Sequence, residues 1–206
     1  MDILTLDWET YYDQDYSLSK LTTEQYVRDP RFEVIGVGLK LNNGPSKWFT
    51  DPAHILMVLR SIDWTKVAML CHNAVFDGAI LNWHFGIQPK LYLDTLSMSR
   101  PLHSVEVGGS LKSLSEYYNI GEKGEEVVLA KGKHLKDFSQ IELARYGHYC
   151  INDVELTYKL FNKMRVGFPV SELMVIDQVI RMFTAPVLEL DKPTLEKHLA
   201  QEQQRK

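Results

Sequence analysis

Short apolar runs alternate with amphipathic stretches along most of this 206-residue chain. The runs ILTLD, EVIGVGLKL, VAMLCHN and KLYLDT have the length and side chains of strands, and KWFT predicts a brief additional one. Helical spacing predicts helices in the stretches LTTEQYVRD, AHILMVLRSI, VFDGAILNWHF, LSMSR and LKSLSEYYNI. This order of elements predicts a mixed α/β sheet with helices on its faces.

Several predicted helices have recognisable ends. Asp51 followed by Pro52 is typical of a helix N-terminus, because Asp accepts bonds from free backbone N–H groups and Pro tolerates the first position. Ser110 predicts the start of another helix, and Gly121 predicts its end. These signals place the helices between the predicted strands.

The C-terminal half is dominated by helical patterns. A polar stretch at 121–136 predicts a loop, and a long helical pattern then begins at Ser139, with a potential break at Gly147. Beyond this helix, two more helical stretches flank APVLELDKP. We therefore predict one domain at 1–168 and a helical extension at 169–206.

The composition is that of an ordinary globular domain. With 45% hydrophobic and 24% charged residues, the chain is long enough to bury a sizeable core. The net charge of −4 provides no global basic field of the kind that attracts nucleic acids. Cys71 and Cys150 are not part of a CxxC motif, and they fit a reducing cytosol better than a disulfide framework. No signal peptide or membrane-spanning run is recognisable, so we expect a cytoplasmic protein.

Two acidic residues share one side of the first predicted strand. Asp7 and Glu9 are two residues apart and point to the same face, whereas Trp8 points to the other. Ligand sites in open sheets lie at strand C-terminal ends, and neighbouring carboxylates suit Mg²⁺ or Mn²⁺. Taken alone, this common pair is better explained as solvated acids at a strand end.

A third acid follows a buried strand. Asn73 lies at the end of VAMLCHN, and Asp77 lies in the first turn of the next predicted helix. The helix dipole stabilises an acid there, and this explains Asp77 as well as a functional role does. His72 is interpreted as a turn or packing residue and not as a metal ligand.

A tyrosine and an aspartate share one face of the long helix. Tyr149 and Asp153 are four residues apart, so their side chains lie on the same side. His148 also precedes Asp153, but adjacent helical residues diverge by about 100°, and this spacing favours Tyr149. An ordinary amphipathic helix with a half-buried tyrosine explains the same pattern.

In this order, LDWET, HNAVFD and YCIND resemble the three exonuclease motifs of the DnaQ-like 3′–5′ exonuclease superfamily. The third motif is similar to the branch that carries tyrosine, although His148 also fits the H-x4-D spacing of the histidine branch. The resemblance covers roughly the first 165 residues. It is most similar to the proofreading domain of family A DNA polymerases of phages, and DTLSMSR, SLKSLSEYYNI and NDVELTYKLF add to it.

The resemblance implies an RNase H-like fold and hydrolysis with two divalent ions, Mg²⁺ or Mn²⁺. It assigns Tyr149 to the orientation of the attacking water, and Thr10 and Asn73 to binding of the 3′ terminus. Tyr11, Tyr12 and Phe76 are candidates for base stacking, with simple packing as an equal alternative. Lysines in the polar loop could contact phosphates, although a solvated loop is the safer interpretation; they are Lys131, Lys133 and Lys136. The implied metal ligands are Asp7, Glu9, Asp77 and Asp153.

The expected function is hydrolysis of single-stranded DNA 3′ ends to nucleoside monophosphates, as the proofreading domain of a phage-type DNA polymerase. The stretch 169–206 resembles the start of a polymerase domain, so a polymerase domain in the same parent chain is an expected partner. The expected location is then the cytoplasm of a bacterial or phage-infected cell. Two alternatives are an RNase D-like 3′–5′ exoribonuclease and a non-catalytic module that binds nucleic acid.

Overall fold

The computed structural model of this protein describes residues 1–103, 105–124 and 130–205. Its centre is a five-stranded sheet in the order β3-β2-β1-β4-β5. The antiparallel part is β1 with β2 and β2 with β3, whereas β1, β4 and β5 are parallel to one another. The strands are β1 (Asp2–Thr10), β2 (Val34–Leu41), β3 (Lys47–Phe49), β4 (Val67–Cys71) and β5 (Leu91–Asp94). All five predicted strands are present.

The described part of the chain contains eight α-helices in addition to the sheet, and the mixed α/β architecture predicted from the sequence is confirmed. A short 3₁₀ turn at Leu135–Asp137 precedes the longest helix. The helices are α1 (Thr23–Arg28), α2 (Pro52–Arg60), α3 (Ala74–Phe85), α4 (Thr95–Leu102), α5 (Leu111–Tyr117), α6 (Gln140–Met164), α7 (Val170–Thr184) and α8 (Lys192–Arg205).

The predicted helix starts are confirmed, and one predicted end is wrong. The Asp51 carboxylate accepts the backbone N–H of His54 at 2.7 Å, which caps α2. The helix α5 ends at Tyr117 and not at Gly121, because Asn119 adopts a left-handed backbone with φ of 52° that cannot continue a helix. The loop predicted at 121–136 is irregular where it is described, and 125–129 lies outside the described residues.

The predicted break at Gly147 is also wrong, because α6 runs through it without interruption. A Cβ atom at Gly147 would lie 2.4 Å from the Trp48 ring, and one at Gly36 would lie 2.3 Å from the same ring. These glycines therefore let the tryptophan from β3 pack directly against α6 and β2. Gly147 is a residue of close packing and not a helix breaker.

The two faces of β1 meet different helices. Trp8 stacks on Phe85 of α3, with ring centroids 5.2 Å apart. On the opposite face, the Cys150 thiol of α6 donates to the Asp7 carbonyl at 3.3 Å. Gly38 lies opposite Asp7 in the register of β2, and a Cβ there would lie 2.8 Å from the Cys150 sulfur. The small residue lets α6 lie close above the acidic face of β1.

The last two helices differ in how they pack. Helix α7 lies against α3 and β5, and the indole of Trp83 donates to the Thr184 carbonyl at 2.7 Å. Helix α8 has no buried residue among those described. In the described part of the chain, no helix is long and apolar enough to cross a membrane.

Candidate active site

The predicted acidic residues meet where β1 and β4 end. Carboxylate oxygens of Asp7 and Glu9 lie within 4.8 Å of each other and of the Cys150 sulfur. Asp77, in the first turn of α3, accepts the Trp8 backbone N–H at 3.2 Å and therefore reaches the same strand end. Its charge and that of Asp7 interact. Two segments that are distant in sequence thus supply three acids of one cluster.

Asp153 of α6 completes this cluster. Its charge raises the pKa values of Asp7 and Glu9, so its carboxyl group lies within electrostatic reach of both. One of its oxygens, Oδ2, pairs with the amine of Lys123 at 2.6 Å. The other, Oδ1, is buried and has no hydrogen-bond partner among the described residues. Asp153 therefore lies on the face of α6 that is turned toward the end of β1, as the helical spacing predicts.

Burial makes the ionised form of this cluster costly. Glu9, Asp77 and Asp153 are only 8%, 3% and 5% exposed. Loss of water, followed by the charge of Asp153, raises the pKa of Asp7 from 3.8 to about 7. Burial and then the Asp7 charge hold the pKa values of Glu9 and Asp77 well above their usual range. A cation bound among these groups would relieve both effects.

The residues present fit a hard divalent cation. Four carboxyl groups offer oxygen ligands, and a buried carboxylate oxygen without a donor is a costly feature that a metal ligand bond would satisfy. Cys150 was not predicted near this cluster. Burial raises the pKa of its thiol well above the usual range, and a protonated thiol is a poor metal ligand. The donor set is therefore one of carboxylate oxygens and not of thiolate sulfur.

Tyr149 and His148 lie on different sides of α6. Tyr149 is 7% exposed, whereas His148 is exposed to solvent. Burial and then the charge of Asp153 raise the pKa of Tyr149, so its hydroxyl lies near the acidic cluster. The i, i+4 spacing thus brings Tyr149 to the cluster, and the neighbouring histidine points away from it.

Two residues proposed to contact substrate already have partners. The Thr10 hydroxyl is 2.8 Å from the Tyr26 hydroxyl. Tyr11 is 8% exposed, and its ring stacks on His134 with centroids 4.0 Å apart. Packing, the alternative interpretation of Tyr11, therefore describes its ring in this structure. A role of either side chain in substrate binding stays a prediction.

Asn73 and Phe76 lie at the start of α3. Asn73 is exposed and has a left-handed backbone, with φ of 73°, immediately before α3. Phe76 is half-buried, and its ring centroid lies 5.9 Å from that of Tyr26. Of these two, Asn73 has the more accessible side chain, and its contact with substrate also stays a prediction.

Sequence reasoning missed the residue that holds Asn73 in place. Asp94, at the end of β5, accepts the backbone N–H of Asn73 at 2.8 Å and that of Leu96 at 3.1 Å. Its second oxygen accepts the Ser97 hydroxyl at 2.7 Å. The signal was present, since an acid at a strand end before a helix is a typical N-cap. Asp94 thereby joins the starts of α3 and α4.

The loop before α6 packs against the segment that follows β1. The Gly132 backbone N–H donates to the Tyr12 carbonyl at 2.8 Å. Lys133 forms an ion pair with Glu142, whereas Lys131 and Lys136 are exposed. Phosphate contacts of these lysines stay predictions, and exposure leaves two of them available.

Two sequence comparisons relate this chain to enzymes that act on nucleic acids. A family model described as 3′–5′ exonuclease matches residues 42–167, a range that contains Asp77, Tyr149 and Asp153 and begins after Asp7 and Glu9. A DNA polymerase of Bacillus phage SP02 is 23% identical over 205 residues, covering 87% of this chain and 31% of the polymerase. The chain therefore spans about a third of the length of that relative.

Solved structures with the same fold include several nucleases. RNase D of Trypanosoma brucei in complex with RNA U12 has a TM-score of 0.68 at 14% identity, covering 92% of this chain and 67% of that chain. NrnC of Brucella melitensis with bound Mg²⁺ has a TM-score of 0.60 at 15% identity, with 89% and 82% covered. The family B DNA polymerase of Pyrobaculum calidifontis has a TM-score of 0.61 at 15% identity, with 90% and 27% covered. These likenesses confirm the RNase H-like exonuclease fold.

Proposed function

Because the chain belongs to the 3′–5′ exonuclease family, a family of metal-dependent nucleases, we propose that it removes mononucleotides from single-stranded DNA 3′ ends. One observation carries this proposal: four carboxyl groups from three distant segments gather at the end of β1, three of them are buried, and the Oδ1 oxygen of Asp153 has no donor among the described residues. A purely structural cluster would be expected to satisfy its buried oxygens with protein donors.

Each residue of the cluster has a role in this proposal. Asp7, Glu9, Asp77 and Asp153 would hold two divalent ions, Mg²⁺ or Mn²⁺. When bound, such ions activate the attacking water and stabilise the leaving 3′ oxygen. The buried walls around the carboxyl groups strengthen their hold on a cation, because charges interact more strongly away from bulk water.

Tyr149 is proposed to orient the attacking water. Its pKa is raised by burial and by the charge of Asp153, so the hydroxyl keeps its proton at neutral pH. A protonated phenol is a hydrogen-bond partner for water and not a general base. This division of roles predicts that the acidic residues matter more for activity than Tyr149 does.

The choice of DNA rests on the sequence relative. The phage SP02 protein is a DNA polymerase, and we propose by analogy that this chain is the proofreading domain of such an enzyme. In this proposal 1–168 is the exonuclease domain and 169–206 begins the polymerase domain. The two cysteines, both free and buried, fit the reducing cytosol that this role requires.

A second candidate function differs in the substrate. The RNase D structure with RNA U12 supports an exoribonuclease on the same fold. The proposed metal ligands would treat DNA and RNA phosphates alike, so the choice depends on contacts with the sugar. Family membership disfavours the non-catalytic module considered above.

A degradation assay on matched oligonucleotides tests the proposal. Single-stranded DNA and RNA of the same sequence, labelled at the 5′ end, are incubated with Mg²⁺ or with EDTA. We expect DNA to shorten one nucleotide at a time from its 3′ end, with nucleoside monophosphate products, and only with Mg²⁺. The matched control is Asp153→Asn, which keeps the side-chain shape and should be inactive. Faster degradation of RNA would favour the second candidate, and intact oligonucleotides would contradict both.

A further inference from the structure

A lysine that was not predicted as a site residue reaches the acidic cluster. The amine of Lys123 lies 2.6 Å from Asp153 Oδ2 and 5.5 Å from the centroid of the Tyr149 ring. Its positive charge also acts on the carboxyl groups of Asp7 and Glu9. The ammonium therefore contacts Asp153 directly and lies within electrostatic reach of two other proposed metal ligands, and its side chain is 28% exposed.

The backbone that carries this lysine is attached to α6. The Asn152 side chain, next to Asp153, donates to the Glu122 carbonyl at 2.9 Å. A Cβ atom at Gly121 would lie 2.9 Å from Leu156, so this glycine lets the segment lie directly on the helix. Lys123 thus directly follows two residues that contact α6.

In the proposed site, the substrate phosphate brings a negative charge that this ammonium can neutralise. Two divalent ions neutralise four carboxylates, and the phosphodiester of the substrate then adds a negative charge that grows in the transition state. A divalent ion bound at Asp153 Oδ1 would repel the ammonium at Oδ2 of the same carboxylate and weaken this ion pair. The lysine is then free to pair with another anion within reach of its flexible side chain.

We propose that Lys123 is a catalytic residue that pairs with Asp153 in the free enzyme and with a non-bridging oxygen of the scissile phosphate in the enzyme–substrate complex. This inference rests on the proposed function, because it assumes that Asp153 binds metal and that the substrate is a phosphodiester. It differs from a counter-ion role, in which the lysine would only neutralise the carboxylates before metal arrives.

Three lysine variants separate these roles. Lys123→Met removes the charge, and Lys123→Arg keeps it. The matched control is Lys159→Met, because the Lys159 amine lies 3.5 Å from the Ile120 carbonyl of the same segment. Mn²⁺ affinity is measured by calorimetry without nucleic acid, and cleavage of 5′-labelled DNA is measured under single-turnover conditions with saturating Mn²⁺. Thermal melting of each variant reports folding.

We expect two effects of opposite sign from Lys123→Met. Mn²⁺ should bind about threefold more tightly, because the competing ion pair with Asp153 is gone. The single-turnover rate should fall about 100-fold, as for the loss of one donor to a transition-state oxyanion. Lys123→Arg should recover most of the rate, and Lys159→Met should match the wild type in both measurements.

The other outcomes are distinguishable. Tighter Mn²⁺ binding with an unchanged rate would show a counter-ion and overturn the catalytic role. Weaker Mn²⁺ binding together with slower cleavage would show that Lys123 supports the structure, and would also overturn it. A wild-type protein that binds Mn²⁺ but cleaves no DNA would overturn the proposed function and this role with it. An active wild type with an equally active Lys123→Met variant would overturn only this inference.

Discussion

Two buried aspartates, on helices that are consecutive in the chain, show how differently one side chain is used in this protein. Asp177 of α7 is 7% exposed, and Asp153 of α6 is 5% exposed. Asp177 accepts the Tyr92 backbone N–H at 2.7 Å and the Arg181 guanidinium at 2.8 Å, so each oxygen has a donor. Asp153 has one lysine partner and one oxygen without a donor among the described residues. Equal burial with unequal hydrogen bonding separates an anchor from a candidate metal ligand.

The same contrast holds for the surroundings of the two residues. Arg181 also donates to the carbonyls of Pro89 and Lys90, so the Asp177 region is a closed set of donors and acceptors that fastens α7 to β5. The Asp153 region gathers further carboxyl groups that raise one another's pKa values. Since such repulsion destabilises a fold, its presence indicates a site adapted to bind something positive.

The largest expected effect is the loss of activity in Asp7→Ala. Removal of a central carboxylate should lower the exonuclease rate with Mg²⁺ by about 1,000-fold or more, because metal binding and positioning both depend on it. The rate is measured on 5′-labelled single-stranded DNA. Asp63→Ala, at a surface acid paired with Lys66, is the control and should retain full activity. Substantial activity of Asp7→Ala would contradict the site assignment.

Substitution of Asp177 should lower the stability of the protein and leave the nuclease activity unchanged. Asp177→Ala leaves the buried Tyr92 N–H without its acceptor and should lower the free energy of unfolding by about 2 kcal/mol. Asp177→Asn can still accept that N–H and should lose about half as much. Urea denaturation measures both variants. An Asp177→Ala protein as stable as the wild type would show that α7 is held mainly by other contacts.

A smaller effect on the cleavage rate is expected from substitution of Tyr149. Tyr149→Phe should slow cleavage about 20-fold with little change in Mg²⁺ affinity, because it removes a hydroxyl that orients water and no proposed ligand. His148→Ala is the paired variant and should stay within about twofold of the wild-type rate, since His148 is exposed. A reversed order of the two effects would assign the catalytic role to the histidine.

The smallest expected effect is a pH dependence of the metal-free protein. The pKa of Asp7 is about 7 in the fold and near 3.8 when unfolded, so the folded state holds the proton more tightly. Stability should therefore fall as pH rises from about 4 to about 7 and stay low above that. In EDTA at pH 8, Asp7→Asn should melt about 5 °C higher than the wild type, with no difference at pH 4.

Calorimetric melting curves at both pH values measure this difference. Saturating Mg²⁺ should remove the deficit of the wild type, because a bound cation favours the ionised carboxylates. Equal melting temperatures of the two proteins in EDTA at pH 8 would show that Asp7 keeps enough water to ionise without cost.

The regular spacing of side chains in strands and helices predicted the parts of the site that lie within one element. The strand period placed Asp7 with Glu9, and the helix period placed Tyr149 with Asp153, because side-chain direction in a regular element depends only on spacing. Glycines were harder to interpret. Gly147 reads as a helix breaker in isolation, yet the space it leaves is filled by Trp48 from another strand. Such a role cannot be predicted from neighbours in the sequence.

By itself, the sequence determined which acidic residues lie on a common face, where most helices begin and which family the motifs resemble. Only the tertiary structure decided which buried carboxylates have donors and which do not. It also brought Lys123 to Asp153 and joined Asp94 to Asn73, contacts between residues 21 or more positions apart. The physical reason is that periodicity is a local property, whereas hydrogen bonding and charge balance depend on what packing brings together.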